Sequence, residues 1–416
     1  MNLIPYAVPF FLLLILMELG WGFWKNTNTY RVNDTVNSLS LGILSTATQL
    51  VSLGIGGAVF AKIEQDYALL RWDINSISAW ILGLLLYDFL YYWYHRISHE
   101  RQIFWGSHVV HHQSEDYNLG TALRQTSTSF MLTWIFYVPC FLLGMPIYMF
   151  VTIGGAHLIY QFWIHTRHIP KLGFLEWFMI TPSNHRVHHA QNSRYIDKNY
   201  GGLLIIWDRI FGTFAEEAEG EEVVYGISTP LSSWNPLWAN THIFVQMASD
   251  AWRTASWKDK LKVWISRTGW RPADVAEQYP RAKTDLNNFS KYHPPLSTGA
   301  LAAIFVHFLL LAAVDMWFSW NAADQSFLVQ ACYVGLLFYT LVVIGAALNR
   351  SPRVLFWELS RWVAIASVLT LTYVLGAVTT NLWLGGIVYL LLSAPLMVWA
   401  ARSMAGPGGS SLPASA

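Results

Sequence analysis

The sequence predicts an all-α, polytopic helical membrane protein. Three observations carry that reading. Only 12% of the 416 residues are charged, against about 25% in an average soluble domain. The chain is 54% hydrophobic, with a mean hydropathy of +0.33. Several apolar runs reach the roughly 20 residues that a helix needs to cross a hydrocarbon core. The same composition excludes a disordered chain or a coiled coil. Lys+Arg 26 against Asp+Glu 25 leaves a formal net charge of +1. No strong field steers a polyanion, so no nucleic-acid partner is expected. Cys140 and Cys332 both lie inside apolar runs, which excludes a disulfide framework.

The elements follow in order. Leu3 to Phe23 carries one charge, Glu18. It lacks a basic start and a small-residue cleavage site, so it reads as a span or anchor rather than a removed signal. Leu39 to Phe60 is uncharged, and Ile77 to Tyr94 carries only Asp88. Phe130 to Trp163 is apolar but interrupted by Pro139, Gly144 and Pro146. It divides into halves of about 17 residues, barely enough to cross, and reads as a hairpin with both ends on one side. Between Pro170 and Leu296 the composition turns soluble. An acidic patch (Glu216, Glu217, Glu219, Glu221, Glu222) precedes Lys258, Lys260 and Lys262. Ala300 to Phe318, Phe327 to Leu348, and Trp362 to Ala401 split near Gly376 to Asn381 supply the remaining spans. The resulting domain plan is 1–76 N-terminal spans, 77–217 catalytic core, 218–298 cytoplasmic connecting region, 299–405 C-terminal spans and 406–416 flexible tail. No fixed-period repeat is present.

Basic residues set the sides. Arg96, Arg101 and Arg124 flank the first histidine motifs, Arg350 and Arg353 fill a later loop, and Arg402 begins the tail. The turns between the C-terminal spans, 321–326 and 376–381, hold no Lys or Arg. The positive-inside rule then places the histidine motifs, the connecting region and the C-terminus in the cytoplasm. Lys62 and Arg71 would lie outside, which weakens the bias near the N-terminus. The membrane is the endoplasmic reticulum if the source is eukaryotic and the inner membrane if it is bacterial.

Eleven of the 14 histidines fall between His95 and His189, where even scatter would put roughly three. Eight form three motifs. H-R-I-S-H supplies His95 and His99, H-V-V-H-H supplies His108, His111 and His112, and N-H-R-V-H-H supplies His185, His188 and His189. Residues three and four apart share a helix face, so each motif presents imidazoles side by side. One ion accepts about four to six ligands, so eight or more histidines suit two ions. His165, in Q-F-W-I-H-T, is a ninth ligand, and His157 is an additional candidate on the same helical face. The fold class therefore includes a His-rich di-metal site at the cytoplasmic membrane face. Imidazole suits iron, zinc and copper alike. The zinc-protease signature H-E-x-x-H and the Glu-x-x-His of soluble di-iron bundles are both absent. Histidine-held iron beside a bilayer points to dioxygen chemistry on a lipid.

Asp88 shares a helix face with His95 and His99. A carboxylate inside a membrane segment needs a partner, and orienting a ligand's second ring nitrogen would supply one. Glu100, adjoining His99, does similar work or faces solvent.

At these residues the chain resembles the fatty acid hydroxylase / sterol desaturase superfamily of membrane di-iron enzymes. The shared pattern is H-x3-H, H-x2-H-H and a later H-x2-H-H, met at His95, His108 and His185, over roughly residues 80 to 215. A closer resemblance is to the alkylglycerol monooxygenase family. It is carried by YYWYHRISHE, HHQSEDYNLGTALRQ, YQFWIHT, TPSNHRVHHA, YIDKNYGGLLIIWDRIFGTF and VVYGISTP, and more weakly by GWRP and RSPRVLFWELSR. One departure is Asn184, where the family would have another histidine; it bears on tuning rather than on metal binding. The resemblance implies two irons, O2 as co-substrate and tetrahydrobiopterin as electron source. It implies oxygenation of an ether lipid at the carbon beside the ether oxygen, giving fatty aldehyde and a glycerol derivative.

Two alternatives remain at this stage. One is a fatty acyl, sterol or other lipid hydroxylase or desaturase using a separate electron donor, since no haem or iron–sulfur motif is fused to the chain. The other is a non-enzyme, either a metal transporter or a metal-dependent lipid-binding protein. A transporter would place ligands at the midplane of broken, repeated helices. Here they cluster at span ends.

Overall fold

A computed structural model describes residues 3–52 and 55–404. The expected tail at 406–416 lies outside the described residues. Those residues hold no strand, only isolated bridges at Arg101–Arg267, Met179–Leu204 and Ala190–Tyr225. The chain begins with α1 (Ile4–Lys25), α2 (Val32–Ser52) and α3 (Ile55–Tyr67). The expected span Leu39 to Phe60 is thus shared between α2 and α3. Next come α4 (Ile77–Glu100), α5 (Gln102–His112), α6 (Leu119–Ala122), α7 (Val138–Leu142), α8 (Ile147–Trp163), α9 (Pro182–His188) and α10 (Ile206–Ile210). The connecting region folds as α11 (Pro236–Arg253), α12 (Trp257–Ile265) and α13 (Ala273–Gln278). Four long helices finish the chain: α14 (Thr298–Asn321), α15 (Phe327–Leu348), α16 (Val354–Val374) and α17 (Thr380–Met404).

Among the described residues, five helices are long and apolar enough to cross a membrane: Tyr6–Lys25, Thr298–Asp324, Phe327–Leu348, Val354–Val374 and Thr380–Met404. The protein is a multi-pass membrane protein. Helix α4 is not among the five. Asp88 and the tyrosines at 87, 91, 92 and 94 dilute its apolar run. The expected hairpin at Phe130 to Trp163 also differs. Its first half is two 3-10 turns followed by the five-residue α7, and only α8 is a long helix. At 17 residues, α8 is about 26 Å long, shorter than the hydrocarbon core. Gly144 makes the turn between them with φ +84°, and a Cβ there would meet the Leu70 carbonyl oxygen at 1.9 Å. Helix α16 starts eight residues before the expected Trp362, because Glu358 and Arg361 neutralise each other inside it at 2.5 and 2.8 Å.

The chain divides into two compact units. One comprises Met1–Arg31, Ser52–Leu231 and Asn240–Lys291. Its largest apolar core gathers Tyr87, Phe141, Met145, Met149 and Ile153 around Phe60. Burying each such side chain contributes about 1.5–3 kcal/mol. Helix α1 joins it through Phe11, stacked on Phe162 at 4.1 Å. Buried Glu18 accepts from the Leu119 N–H at 2.8 Å, from the Thr166 hydroxyl at 2.5 Å and from the Tyr30 hydroxyl. The buried carboxylate of the first span thereby fastens it to Thr166, next to His165. The other unit comprises Val32–Val51, Ser232–Ala239 and Tyr292–Ala416. Its core is built from α2 and α14–α17, with Ile304, Phe308, Leu341, Ile344 and Met397 at its centre.

Candidate metal centre

The first unit's polar interior starts on α4. Its buried stripe includes Asp88, Tyr92, His95 and His99, spaced three and four apart on one face. Arg101, in extended conformation, ends α4 and starts α5, so that α5 returns His108 and His112 toward the same face. Helix α9 opens with Thr181 as N-cap, Pro182 in its first turn and Asn184 closing a reciprocal capping box. That cap sets the direction of His185, His188 and His189. His165 follows the end of α8.

Among the described residues, two groups of histidine converge. His95, His99, His108, His112 and His188 form one; His111, His165, His185 and His189 form the other. All nine are buried, and the ligating nitrogens of each group lie within 4.8 Å of one another. The two H-x2-H-H motifs are used reciprocally. Helix α5 gives its i,i+4 pair, His108 and His112, to the first group and His111 to the second. Helix α9 gives its i,i+4 pair, His185 and His189, to the second and His188 to the first. The groups adjoin, with the His112 and His189 rings stacked at 4.3 Å.

The nitrogen geometry fits a cation in each group. Nε2–Nε2 separations are 3.0 Å for His95–His108, 3.2 Å for His108–His112, 3.1 Å for His111–His165, 2.9 Å for His165–His185 and 3.1 Å for His185–His189. Two imidazole nitrogens at right angles on one ion, each bonded at about 2.1 Å, would stand about 3.0 Å apart. Four of the outer ring nitrogens are held by backbone carbonyls. Nδ1 of His95 meets Tyr200 O at 2.7 Å, Nδ1 of His111 meets Arg124 O at 2.9 Å, Nδ1 of His165 meets Gln161 O at 2.8 Å, and Nδ1 of His188 meets Lys198 O at 3.0 Å. A carbonyl can only accept, so each Nδ1 carries the proton and each Nε2 offers a lone pair. Burial holds the imidazoles neutral, drawing His111 down to about 4 and His188 to about 3. His111 and His165 therefore face each other with two lone pairs, an arrangement that repels unless a cation lies between them. Nε2 of His99 and of His188 are buried with no hydrogen-bond partner, as ligand nitrogens awaiting a metal would be.

The other candidates take different places. Asp88 meets His157 rather than a histidine of either group, with 2.7 Å between Oδ1 and Nε2. Its carboxylate also accepts from the Leu203 and Leu204 N–H groups and from Trp207 Nε1 at 2.8–3.2 Å. The Tyr91 hydroxyl donates to Gln161 Oε1 at 2.6 Å, which turns the amide nitrogen onto His157 Nδ1 at 2.8 Å. His157 Nδ1 is thus an acceptor and its Nε2–H donates to Asp88, so both ring nitrogens are engaged outside the two groups. Gln161, one turn further along α8, bonds His165 through its carbonyl, so Asp88 reaches a cluster through two intermediates. Gly202 is required where this column meets the loop, since a Cβ there would lie 2.3 Å from the His157 ring. Glu100 pairs with Arg96 at 2.9 Å and joins neither group. Asn184 serves the α9 cap, accepting from the Thr181 N–H at 3.2 Å.

The backbone carbonyls of Arg124, Gln161, Lys198 and Tyr200 leave no mark in a side-chain pattern. Asp208 is a further residue that the motifs pass over. It is buried and receives the N–H groups of Tyr200 and Gly201 at 2.8 Å each, fixing the loop whose carbonyl holds His95. Burial raises its carboxyl to about 6. Its one sequence signal is its place within the quoted YIDKNYGGLLIIWDRIFGTF segment.

The fatty acid hydroxylase family model matches residues 80–213, the stretch that contains all nine clustered histidines. The alkylglycerol monooxygenase of Xenopus tropicalis is 37% identical over 357 residues, 85% of this chain and 79% of that protein. That of Homo sapiens is 38% identical over 366 residues, 85% of this chain and 80% of that protein. That of Danio rerio is 37% identical over 344 residues, 81% of this chain and 74% of that protein. No solved structure matches.

Proposed function

The chain belongs to the alkylglycerol monooxygenase family, and from that premise and the paired histidine groups we infer a membrane-bound, non-haem di-iron monooxygenase acting on ether lipids. The observation that carries the metal assignment is the facing pair His111 and His165. Both have Nδ1 committed to carbonyls, yet their Nε2 atoms lie 3.1 Å apart. His95, His99, His108, His112 and His188 would hold one iron, and His111, His165, His185 and His189 the other. Bound there, the irons would supply the dioxygen activation needed to place one oxygen atom in a C–H bond.

The chain's own residues orient and shield. The four carbonyls keep the Nδ1 protons of His95, His111, His165 and His188 in place and leave Nε2 free, so these four ligands are preorganised in one tautomer. Burial excludes water and keeps the imidazoles uncharged. Asp88 acts as a positioning residue. It fixes His157, which orders Gln161, whose carbonyl aims His165.

The substrate reading rests on the relatives' name. A 1-O-alkylglycerol would be hydroxylated on the carbon beside its ether oxygen. The hemiacetal so formed breaks to a fatty aldehyde and a free glycerol hydroxyl. The second oxygen atom leaves as water, which needs two electrons and two protons; tetrahydrobiopterin is the proposed donor. Arg96, Arg101 and Arg124 beside the motifs support a site facing the cytoplasm, where a soluble reductant can reach it while the alkyl chain enters from the bilayer.

The test is fatty aldehyde release from a 1-O-alkylglycerol by membranes containing the protein, with oxygen and tetrahydrobiopterin, beside a His111→Ala control. Release that requires both oxygen and the intact histidine supports the reading. Protein that holds two irons but releases no aldehyde points to another lipid hydroxylase with a different electron donor.

A further inference from the structure

The segment from Val245 to Arg281, in the first unit, carries a surface that oxygen chemistry does not use. Helix α12 presents Trp257, Leu261 and Ile265 at four-residue spacing, so the three share one face. Their exposures are 80%, 76% and 67%, and Trp252, at the end of α11, is 86% exposed. Lys258, Lys260 and Lys262 alternate along the same helix. Lys260 Nζ donates to the carbonyls of Ala251 and Trp252 at 2.9 and 3.0 Å, joining α12 to the end of α11. An exposed apolar stripe with tryptophans and flanking lysines is the pattern of a helix lying in a membrane interface. The platform is firmly held. Gln102 Nε2 donates to Val263 O at 3.0 Å and to Trp270 O at 2.8 Å, and the Thr268 hydroxyl donates to His99 O.

Next to Trp252 in the chain, Arg253 opens a cavity of about 260 Å³ lined also by Asp250, Arg271, Tyr279 and Arg281. Asp250 is the sole carboxylate on its wall. Its two oxygens take Arg271 at 2.9 and 3.0 Å and Arg281 at 2.8 Å. Arg253 lies over the Tyr279 ring at 4.1 Å and has no acidic partner among the described residues. Three guanidinium groups thus surround one carboxylate, leaving an excess of about two positive charges. Burial, with the neighbouring Arg271 and Arg253, pulls the Arg281 guanidinium below its ordinary range even beside Asp250. An anion would relieve that crowding, and planar guanidinium forks match phosphate oxygens.

We propose that this surface seats an anionic phospholipid, with its headgroup phosphate in the Arg253–Arg271–Arg281 cavity and its apolar part against Trp252, Trp257, Leu261 and Ile265. Charge selects the occupant, since lysines interleave with the apolar face of α12 and three arginines line the cavity. The inference stands apart from the metal centre's chemistry.

The experiment uses delipidated full-length protein in a neutral detergent, titrated with short-chain phosphatidylglycerol and followed by native mass spectrometry. Diacylglycerol and inorganic phosphate are parallel probes. Arg253→Gln removes a guanidinium that Asp250 does not need, and Leu261→Glu charges an exposed position, so both variants should fold. Phosphatidylglycerol binding should weaken about tenfold in each variant. Diacylglycerol should bind the wild type at least about tenfold more weakly than phosphatidylglycerol, and inorganic phosphate should not displace the lipid at equal concentration. Equal binding by wild type and Arg253→Gln overturns the proposal. So does diacylglycerol binding as tightly as phosphatidylglycerol, or displacement by inorganic phosphate, which would leave only a free-anion site.

Discussion

Both units bury histidine, but in different company. In the C-terminal unit His307 is fully buried and its Nε2 meets the Tyr389 hydroxyl at 2.9 Å. Arg361, equally buried, clasps Glu358 and reaches the Ser393 hydroxyl at 3.1 Å. Asp315 accepts from Tyr333 at 2.8 Å. These polar side chains each meet a complementary one, although Nδ1 of His307 has no partner among the described residues. In the first unit like meets like, as imidazole nitrogens converge at about 3 Å, and between His111 and His165 both lone pairs point inward. Burial of a histidine is therefore not the mark of a metal site. Convergence of several acceptors, each with its proton tied up elsewhere, is.

Five substitutions would break or sharpen that contrast. The largest effect is expected from His111→Ala, which removes a ligand and should bring aldehyde release to background and lower bound iron. His307→Phe in the other unit should leave iron content unchanged. Metal analysis of the two purified variants checks both, and iron loss in His307→Phe would erase the distinction between the units. Next comes Arg361→Leu, which strands the Glu358 carboxylate inside the C-terminal unit and should cost about 3–5 kcal/mol. Thermal unfolding in detergent reads that loss, while iron per folded molecule should stay at the wild-type value. Third, Asp88→Asn should weaken iron retention by less than the roughly 10–100-fold typical of losing a direct outer partner of a ligand, because His157 and Gln161 stand between Asp88 and His165. Titration with a chelator measures it, and unchanged retention would remove Asp88 from the positioning column. The smallest effect is expected from Thr181→Ala, which deletes the α9 cap and should cost about 1 kcal/mol with both irons kept; denaturant unfolding is the check.

The motifs made much of this legible. Helical spacing put the histidines of each motif side by side: His95 with His99, His108 with His111 and His112, and His185 with His188 and His189. The long apolar runs at 300–318 and 327–348 are helices α14 and α15. What the pattern could not supply was tertiary. Nothing local says that His111 and His188 leave their helix neighbours for the opposite group, because that follows from how α5 and α9 face each other. Asp88 has the right spacing to serve His95, yet His157 reaches it from α8, a contact between residues 69 apart in the chain. The run from Phe130 to Trp163 had the hydropathy of a span but not the helical continuity, since Pro139 and Gly144 leave its first half as short turns. Carbonyl partners such as Lys198 and Tyr200 are independent of side-chain identity, so no residue type announces them.

The most direct test of two metal sites built by exchange between two motifs is iron quantification per polypeptide in anaerobically purified protein, for the wild type, His111→Ala and His188→Ala. Two irons are expected in the wild type. Each variant should lose iron chiefly from one site and keep the other, and the double variant should lose both. A wild type that turns over substrate with a single iron, or single variants that both retain two, would contradict the account.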